Sequence, residues 1–437
     1  MKNKTAVTLL ILVLTGCSWL PDWMGGEEEA EKKMPGTRIS VLEDKSVLAV
    51  DKDAEKPAIS LPQVKVNDFF QDAGSTPAEN LALPEKFAHI EEDSSGDASP
   101  REFRITASPI IAGNKVFVLD GDGVLFAHDS ASIGKILWHV DLTGGKENFL
   151  NGWITYDSGK IFAISASVVT CLSAENGNIL WQREVDTPIK PSAIAKNGTL
   201  FFITSDNELY AVTEEDGRTL WMHSGIATNV GILGAAAPLV TEKYVIVPYS
   251  SGEIFALRPD NGKPVWSDSL TGKKSNSNSS VYALTDIDAD PVTDGQFVYA
   301  GSNQGVFLAK ELDSGRTVWQ KEISVLKTPW LAGDYIYLLD TDGQAVAMNK
   351  KDGRIRWVAP LAAKDQKPED KVAWNGPVMA GGRLLISGSD SSLLFLAPDD
   401  GKIIKREEII PNVYLRPAVA NATIFLLNDK ARLASYR

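Results

Sequence analysis

Few residues in this chain could perform chemistry. Its 437 residues include only two cysteines, Cys17 and Cys171. Two cysteines exclude a disulfide framework and any zinc site built from three or four thiolates. The four histidines fall at unrelated positions, without the spacing of a metal site or a catalytic triad; they are His89, His128, His139 and His223. The sequence therefore predicts no catalytic residues and no metal ligands.

One acidic string resembles the start of a calcium-binding loop. It reads Asp-Ile-Asp-Ala-Asp and begins at Asp286. An EF-hand loop needs glycine at its sixth position and a bidentate glutamate at its twelfth. This chain has Pro291 and Phe297 there. The EF-hand pattern is therefore excluded.

Cys17 lies at the end of an N-terminal export signal. Two lysines precede the apolar residues 6–14, a stretch far shorter than the roughly 20 residues that span a bilayer. The sequence Leu14-Thr15-Gly16-Cys17 resembles the bacterial lipobox. This resemblance implies a signal peptide of residues 1–16, a lipid on Cys17 and, because Ser18 follows instead of aspartate, the outer membrane. An ordinary secretory peptide with a chance cysteine is the alternative.

Charge and composition limit the possible partners. The formal net charge is −13 and no basic run is present, which argues against nucleic acid. Hydrophobic residues make up 43% of the chain, enough for a globular core. Residues 17–60 are acidic, contain Pro and Gly, and show no sustained period, so they are predicted to form a flexible tether. A solvated acidic helix is the alternative for this segment.

A repeated phrase dominates the rest of the chain. Seven copies contain a glycine, and in the first six a tryptophan follows four residues later. The glycines are spaced 38 to 53 residues apart, which is the range of four-stranded propeller blades. Asp-Gly and Asn-Gly pairs predict tight hairpins, and the tryptophans are predicted to pack between blades. The repeat residues are Gly134, Gly177, Gly217, Gly262, Gly315, Gly353 and Gly401, with Trp138, Trp181, Trp221, Trp266, Trp319 and Trp357.

An eighth copy begins at Pro417 but lacks its last strand. Closed propellers leave no such edge open. Residues 85–93 lie directly before the first blade and are predicted to supply the missing strand, with Phe87 at the place of the tryptophan. The predicted fold is all-β: an eight-bladed propeller over residues 101–437, closed by an extension over residues 61–100.

The repeat resembles the docking motif of the pyrroloquinoline-quinone (PQQ) propellers. A small residue stands six positions before the glycine, and in the second blade this position is Cys171, which predicts a packing role; the alanines are Ala211, Ala256, Ala309 and Ala347. The resemblance leaves a PQQ-dependent dehydrogenase as an alternative function. Such enzymes typically carry an adjacent pair of cysteines, which this chain lacks, so no cofactor and no enzyme activity are predicted.

The lipobox, the extension and the eight blades together resemble the BamB family of outer-membrane assembly lipoproteins. The resemblance implies a non-catalytic, monomeric scaffold in the BAM complex, held at the periplasmic face of the outer membrane. It also implies binding to the POTRA domains of BamA, which are periplasmic modules. A propeller that binds another protein or a polysaccharide is a further alternative.

The same resemblance implies two contact loops. Val230 and Ile232 match apolar contact positions, and Leu233 replaces the arginine of the family, which would make this contact more apolar. Asp286 and Asp288 match a pair of family carboxylates before a proline. Two carboxylates suit a basic patch on a partner, although solvated turn residues are the alternative.

Overall fold

The computed structural model describes residues 48–51, 58–72, 79–83, 87–93, 96, 105–143, 152–227, 236–270, 287–362 and 371–437. Within these ranges all regular secondary structure of more than a turn is β-strand. Four short strands precede the repeats: β1 (Val64–Lys65), β2 (Phe69–Phe70), β3 (Asn80–Leu81) and β4 (His89–Asp93).

The repeats form successive four-stranded antiparallel sheets. Blade 1 contains β5 (Ile110–Ala112), β6 (Lys115–Leu119), β7 (Val124–Asp129) and β8 (Ser132–Asp141). Blade 2 contains β9 (Trp153–Asp157), β10 (Lys160–Ser165), β11 (Val168–Ser173) and β12 (Ile179–Glu184). Blade 3 contains β13 (Ile189–Lys196), β14 (Thr199–Thr204), β15 (Glu208–Thr213) and β16 (Thr219–Ser224). Blade 4 contains β17 (Leu239–Val240), β18 (Val245–Pro248), β19 (Glu253–Leu257) and β20 (Pro264–Ser269).

The second half follows the same plan. Blade 5 contains β21 (Val292–Thr293), β22 (Phe297–Gly301), β23 (Phe307–Glu311) and β24 (Thr317–Lys321). Blade 6 contains β25 (Trp330–Ala332), β26 (Tyr335–Leu339), β27 (Gln344–Asn349) and β28 (Ile355–Pro360). Blade 7 contains β29 (Trp374–Ala380), β30 (Arg383–Gly388), β31 (Ser392–Leu396) and β32 (Ile403–Glu408). Blade 8 contains β33 (Ala418–Ala420), β34 (Thr423–Leu427) and β35 (Leu433–Tyr436), and β4 is its fourth strand. The eight-bladed architecture is confirmed.

The core lies between the blades, where large and small side chains alternate. One position of each second strand carries a large buried residue, such as Phe117 or Tyr299, whose partner on the third strand is Ala127 or Ala309. Cys171 pairs with Phe162 in this register and is fully buried. The packing role predicted for Cys171 is therefore confirmed.

Each repeat tryptophan lies on the glycine of the next blade. A Cβ added at Gly262 would stand 2.4 Å from the Trp221 ring, and Gly262 also has a φ of +67°. A left-handed turn and a close aromatic contact therefore both require glycine there. The Trp221 indole N–H donates to the Pro259 carbonyl 2.8 Å away, which ties blade 3 to blade 4.

The N-terminal strand closes the ring as predicted, but in a different register. β4 pairs antiparallel with β35, and Ser435, at the small-residue position of blade 8, pairs with Glu91. Glu91 therefore occupies the tryptophan position, and the expectation for Phe87 is wrong. Phe87 stands four residues earlier, at the glycine position, and stacks on Tyr436 at 5.0 Å. Backbone pairing between β4 and β35, with a bulge between Ser435 and Tyr436, sets this register. The expectation had instead aligned Phe87 with the tryptophans because both are aromatic.

The rest of the N-terminal segment, the described residues from 48 to 83, runs over the propeller to its axis. The Asp51 N–H donates to the Ile355 carbonyl of blade 6 at 3.1 Å, and the Ile59 N–H donates to Asp399 of blade 7. β1 and β3 extend the sheet of blade 7, while β2 pairs with β5 of blade 1. Residues 48–51 and 58–60 therefore contact the blades, and the expectation that the flexible tether extends to residue 60 is wrong for these residues.

Candidate partner-binding face

Strand direction alternates in every blade, so the loops fall on two faces. Connections from the fourth strand of one blade to the first strand of the next share a face with the turns between second and third strands; this is the inter-blade face. The tight turns from first to second and from third to fourth strands lie on the opposite, hairpin face. The residues predicted to bind a partner belong to the connections between β16 and β17 and between β20 and β21, and the described ends of both connections are on the inter-blade face.

Most of these predicted residues lie outside the described residues. Val230, Ile232 and Leu233 fall in residues 228–235, and Asp286 falls in residues 271–286. Cys17 also lies outside the described part of the chain. Their predicted roles therefore stay predictions.

Asp288 is described, and it is partly exposed at the base of the second connection. Its neighbours Ile287 and Ala289 are buried, each with 1% of its surface exposed. These two apolar side chains anchor the backbone at Asp288, whose two carboxylate oxygens are themselves buried. The base of this connection is therefore rigid where the predicted carboxylate begins.

The bases of the two connections are joined directly. The Ala237 N–H, just before β17, donates to Asp290 Oδ1 at 2.7 Å, just before β21. Ala236 and Ala237 are both 1% exposed. The structure thus brings together the ends of both loops that were predicted to contact a partner. Asp290 was not predicted, although its place before Pro291 repeats a pattern of the other blades.

The other end of the first connection is also held. The Ile226 N–H donates to Glu253 Oε2 at 2.7 Å, and Asn207 Nδ2 donates to the Ile226 carbonyl at 2.8 Å. Lys190 Nζ in turn donates to Asn207 Oδ1 at 2.6 Å. Blades 3 and 4 therefore fix the chain before residues 228–235, and Asp290 of blade 5 fixes it after them.

Charged groups link Asp290 to the propeller axis. Burial, and next the Asp72 carboxylate, raise the pKa of Asp290 to about 7. Asp72 forms a salt bridge with Arg416 of blade 8 at 3.1 Å and accepts a hydrogen bond from the Ser108 hydroxyl at 3.0 Å. The neighbouring Gln71 accepts the Tyr156 N–H of blade 2 at 2.8 Å. Polar side chains of the N-terminal segment therefore bond to blades 1, 2 and 8 beside their innermost strands.

An apolar strip borders the first connection on its outer side. Leu220 and Met222 on β16 are 53% and 45% exposed, and Ile226 is 64% exposed. β16 contains no charged residue, and it is the outermost strand of its sheet. Contiguous exposed apolar side chains on a sheet edge are typical of interaction surfaces.

The described residues offer no reactive centre. Burial raises the pKa of the Cys171 thiol to about 12, so little thiolate forms at neutral pH. No group of three or more histidine, cysteine or carboxylate side chains in the described ranges is arranged to hold a metal ion. Nor does the described chain contain a helix long and apolar enough to span a membrane.

Solved structures share the fold. The crystal structure of BamB from Moraxella catarrhalis matches with a TM-score of 0.65 at 19% identity, covering 80% of this chain and 100% of that one. A quinohemoprotein alcohol dehydrogenase from Comamonas testosteroni matches with a TM-score of 0.61 at 10% identity, covering 84% of this chain and 80% of that one. At these identities the likeness concerns the fold alone.

Sequence relatives are more informative. An uncharacterized protein of Rickettsia prowazekii is 27% identical over 60% of this chain and 64% of its own length. The outer membrane protein assembly factor BamB of Yersinia pestis is 26% identical over 73% of this chain and 81% of its own length. The family model described as outer membrane protein assembly factor BamB matches residues 130–359. Since this match spans more than half of the chain, the chain belongs to the BamB family of outer membrane protein assembly factors.

Proposed function

We propose that this chain is a non-catalytic scaffold lipoprotein of the BAM complex that binds the POTRA domains of BamA. The observation that best supports this is the joint between Ala237 and Asp290 at the bases of the two predicted contact loops. Two loops that rise from one joint on a rigid ring can present a single continuous surface. Val230, Ile232, Leu233, Asp286 and Asp288 all lie on these two connections.

The surroundings of the joint suit a protein partner. The exposed strip of Leu220, Met222 and Ile226 supplies apolar area beside the first loop. Asp286 would supply a carboxylate on the second loop that orients a basic patch and speeds association, and the buried carboxylate of Asp288 would add to the negative potential there. A mixed apolar and acidic surface fits a folded domain better than it fits a small ligand.

A lipid on Cys17 would hold this surface at the periplasmic side of the outer membrane. Leu48 already packs on the blades, so the tether in this proposal comprises residues 17–47. Confinement to a membrane that also carries the partner raises its effective concentration. Binding could then be productive at modest intrinsic affinity.

A quinone enzyme fits the chain less well. A planar cofactor needs an open cavity with convergent polar groups. Here Gln71 and Asp72 bond to blades 1, 2 and 8 beside the innermost strands, where such a cofactor would need open space. Cys171, at a packing position, has no adjacent cysteine in the sequence.

A binding assay with purified POTRA domains tests the proposal. The mature chain in detergent should bind them, and Asp286→Arg with Asp288→Arg should weaken binding at least about tenfold, since two attractive charges become repulsive. The matched control is Asp216→Arg with Asp352→Arg, which makes the same charge change on the hairpin face. Absence of binding by the wild type would refute the scaffold proposal. Equal losses in both double variants would refute the location of the site.

The enzyme alternative has its own test. The purified chain would be mixed with pyrroloquinoline quinone and calcium and assayed with alcohols and an electron-accepting dye. We expect no turnover above a boiled control. Turnover that requires the quinone would overturn the non-catalytic assignment.

A further inference from the structure

A ring of residues surrounds the axis on the inter-blade face. In five of the eight blades a proline stands directly before the first paired residue of the innermost strand. In blade 7 Pro377 stands directly before Val378, where pairing resumes after a bulge. The residue before a proline is restricted to extended backbone, and the chain enters the innermost strand from this position in each of these blades; Gly376 differs in having a φ of +132°. This pre-proline ring consists of Ser108, Ala237, Asp290, Thr328, Gly376 and Arg416.

Side chains connect this ring from blade to blade. Asp290 accepts the Ala237 N–H and also bonds to the side chain of Thr328. Arg416 Nη2 donates to the Thr328 carbonyl, and Arg416 Nη1 binds Asp72. Within the ring Asp290 is the carboxylate and Arg416 is the cation. The connection therefore runs through blades 4, 5, 6 and 8.

Asp290 has a specific part in this connection. Ala237 is 1% exposed, and its N–H is bound by the Asp290 carboxylate before strand pairing begins at Leu239. A buried N–H without an acceptor is costly. If the carboxylate were absent, the chain before β17 would have to move to hydrate this group.

The N-terminal segment completes the connection. Asp72 bonds to Ser108 of blade 1 and to Arg416 of blade 8. It is not part of the repeat, yet it bonds to two of the six ring residues. The loop bases of blades 4 and 5 are in this way linked to a segment that begins outside the propeller.

We propose that Asp290 is a positioning residue of the partner-binding face. It holds the base of the blade 4 connection against the base of the blade 5 connection, and it links both to the N-terminal segment through Thr328, Arg416 and Asp72. The positioning stands on the hydrogen bonds alone. Its effect on partner binding rests on the function proposed above.

Amide hydrogen exchange of Ala237 in the mature chain tests the positioning. Asp290→Ala removes the acceptor, and exchange should become at least about tenfold faster. Asp290→Asn keeps an acceptor oxygen of similar size and should restore slow exchange. The matched control is Asp340→Ala, because Asp340 also accepts backbone N–H groups, from Asp342 and Gln344, in a turn of the same face. The control variant should leave the amide exchange rate of Ala237 at the wild-type value.

Binding to POTRA domains tests the consequence. Asp290→Ala should weaken binding about tenfold, Asp290→Asn by less than about threefold, and Asp340→Ala by less than about threefold. Unchanged Ala237 exchange in Asp290→Ala, or wild-type binding by that variant, would overturn the inference. If the wild type itself fails to bind, the proposed function fails, and the exchange experiment still decides whether Asp290 positions the loop bases.

Discussion

The seams between blades are of two kinds. In the six seams that follow blades 1 to 6, a tryptophan such as Trp221 lies on a glycine of the next blade. In the two seams on either side of blade 8, the tryptophan position holds a charged residue: Lys405 in blade 7 and Glu91 in blade 8. The tryptophan position is therefore aromatic in the seams after blades 1 to 6 and charged in the two seams beside the blade that joins the two chain ends.

The charged seams use directional contacts. Lys405 Nζ lies 5.8 Å from the centre of the Phe87 ring. Glu91 Oε1 accepts the Gly134 N–H at 3.0 Å and the Ser132 hydroxyl at 3.2 Å. A strand that joins from far away in the sequence must find its register, and a slip by one residue would reverse its faces. Hydrogen bonds to defined atoms penalise such a slip more than apolar contact does.

Removal of the closing strand should have the largest effect. Deletion of residues 85–93 opens blade 8 and the two seams beside it, which should unfold a chain of ordinary stability, about 5–15 kcal/mol. Thermal unfolding followed by circular dichroism measures this. Deletion of residues 18–47 is the control and should shift the midpoint little, because it leaves in place every described contact of the N-terminal segment with the blades. Equal midpoints for both deletions would contradict the role of β4.

Truncation at the tryptophan position should separate the two kinds of seam. Trp221→Ala removes a buried ring and its hydrogen bond to Pro259 and should cost roughly 3–5 kcal/mol of unfolding free energy. Lys405→Ala at the same register removes an exposed side chain beside Phe87 and should cost about 1 kcal/mol or less. Urea unfolding at neutral pH measures both variants. Similar losses would show that the charged seam is as strongly packed as the apolar one.

Addition of one methyl group should sharpen the comparison. Gly262→Ala would force a Cβ against the Trp221 ring in a left-handed turn, at a cost of about 1–3 kcal/mol. At the closure seam, the Cβ of Gly134→Ala would meet only the carboxylate end of Glu91, which can rotate away, so the cost should stay below about 1 kcal/mol. The same unfolding assay applies. A larger loss at Gly134 would mean that the Glu91 contact cannot adapt.

The smallest expected effect is a pH dependence of the closure seam. Burial lowers the pKa of His128, whose Nδ1 bonds to the Ile133 carbonyl at 2.6 Å. The nearby carboxylates of Asp93 and Glu91 act in the opposite direction. Because the unfolded chain then binds the proton more readily, His128 stabilises the fold above about pH 6.5, and this contribution is lost as the pH falls through its lowered pKa.

Comparison of wild type with His128→Gln between pH 7.5 and 5.5 isolates this contribution. Urea midpoints should fall more steeply with acidification in the wild type than in the variant. Asp290 titrates in the same range, but its contribution is common to both proteins and cancels in the difference. Parallel pH profiles would contradict a role of His128 in the seam.

The repeats could be predicted because their information is local. A glycine and a tryptophan four residues after it recur in six blades. The steric reason is the same each time: the tryptophan ring, such as that of Trp221, packs on a glycine of the next blade, such as Gly262. Phe87 shows where this reasoning ends: with no tryptophan in the closing strand, the register depended on the pairing of Glu91 with Ser435, more than 300 residues away. Asp290 was missed because nothing in its own blade indicates that Ala237 lies beside it.

Sequence alone determined the blade count, the need for a closing strand near residues 85–93 and the packing role of Cys171, since each follows from periodicity and the requirement that strand edges be paired. The tertiary structure decided the register of the closure, the path of the N-terminal segment to the axis and the joint at Asp290. These depend on hydrogen bonds between distant parts of the chain. Such bonds form only when the ring brings its blades together, so no local pattern records them.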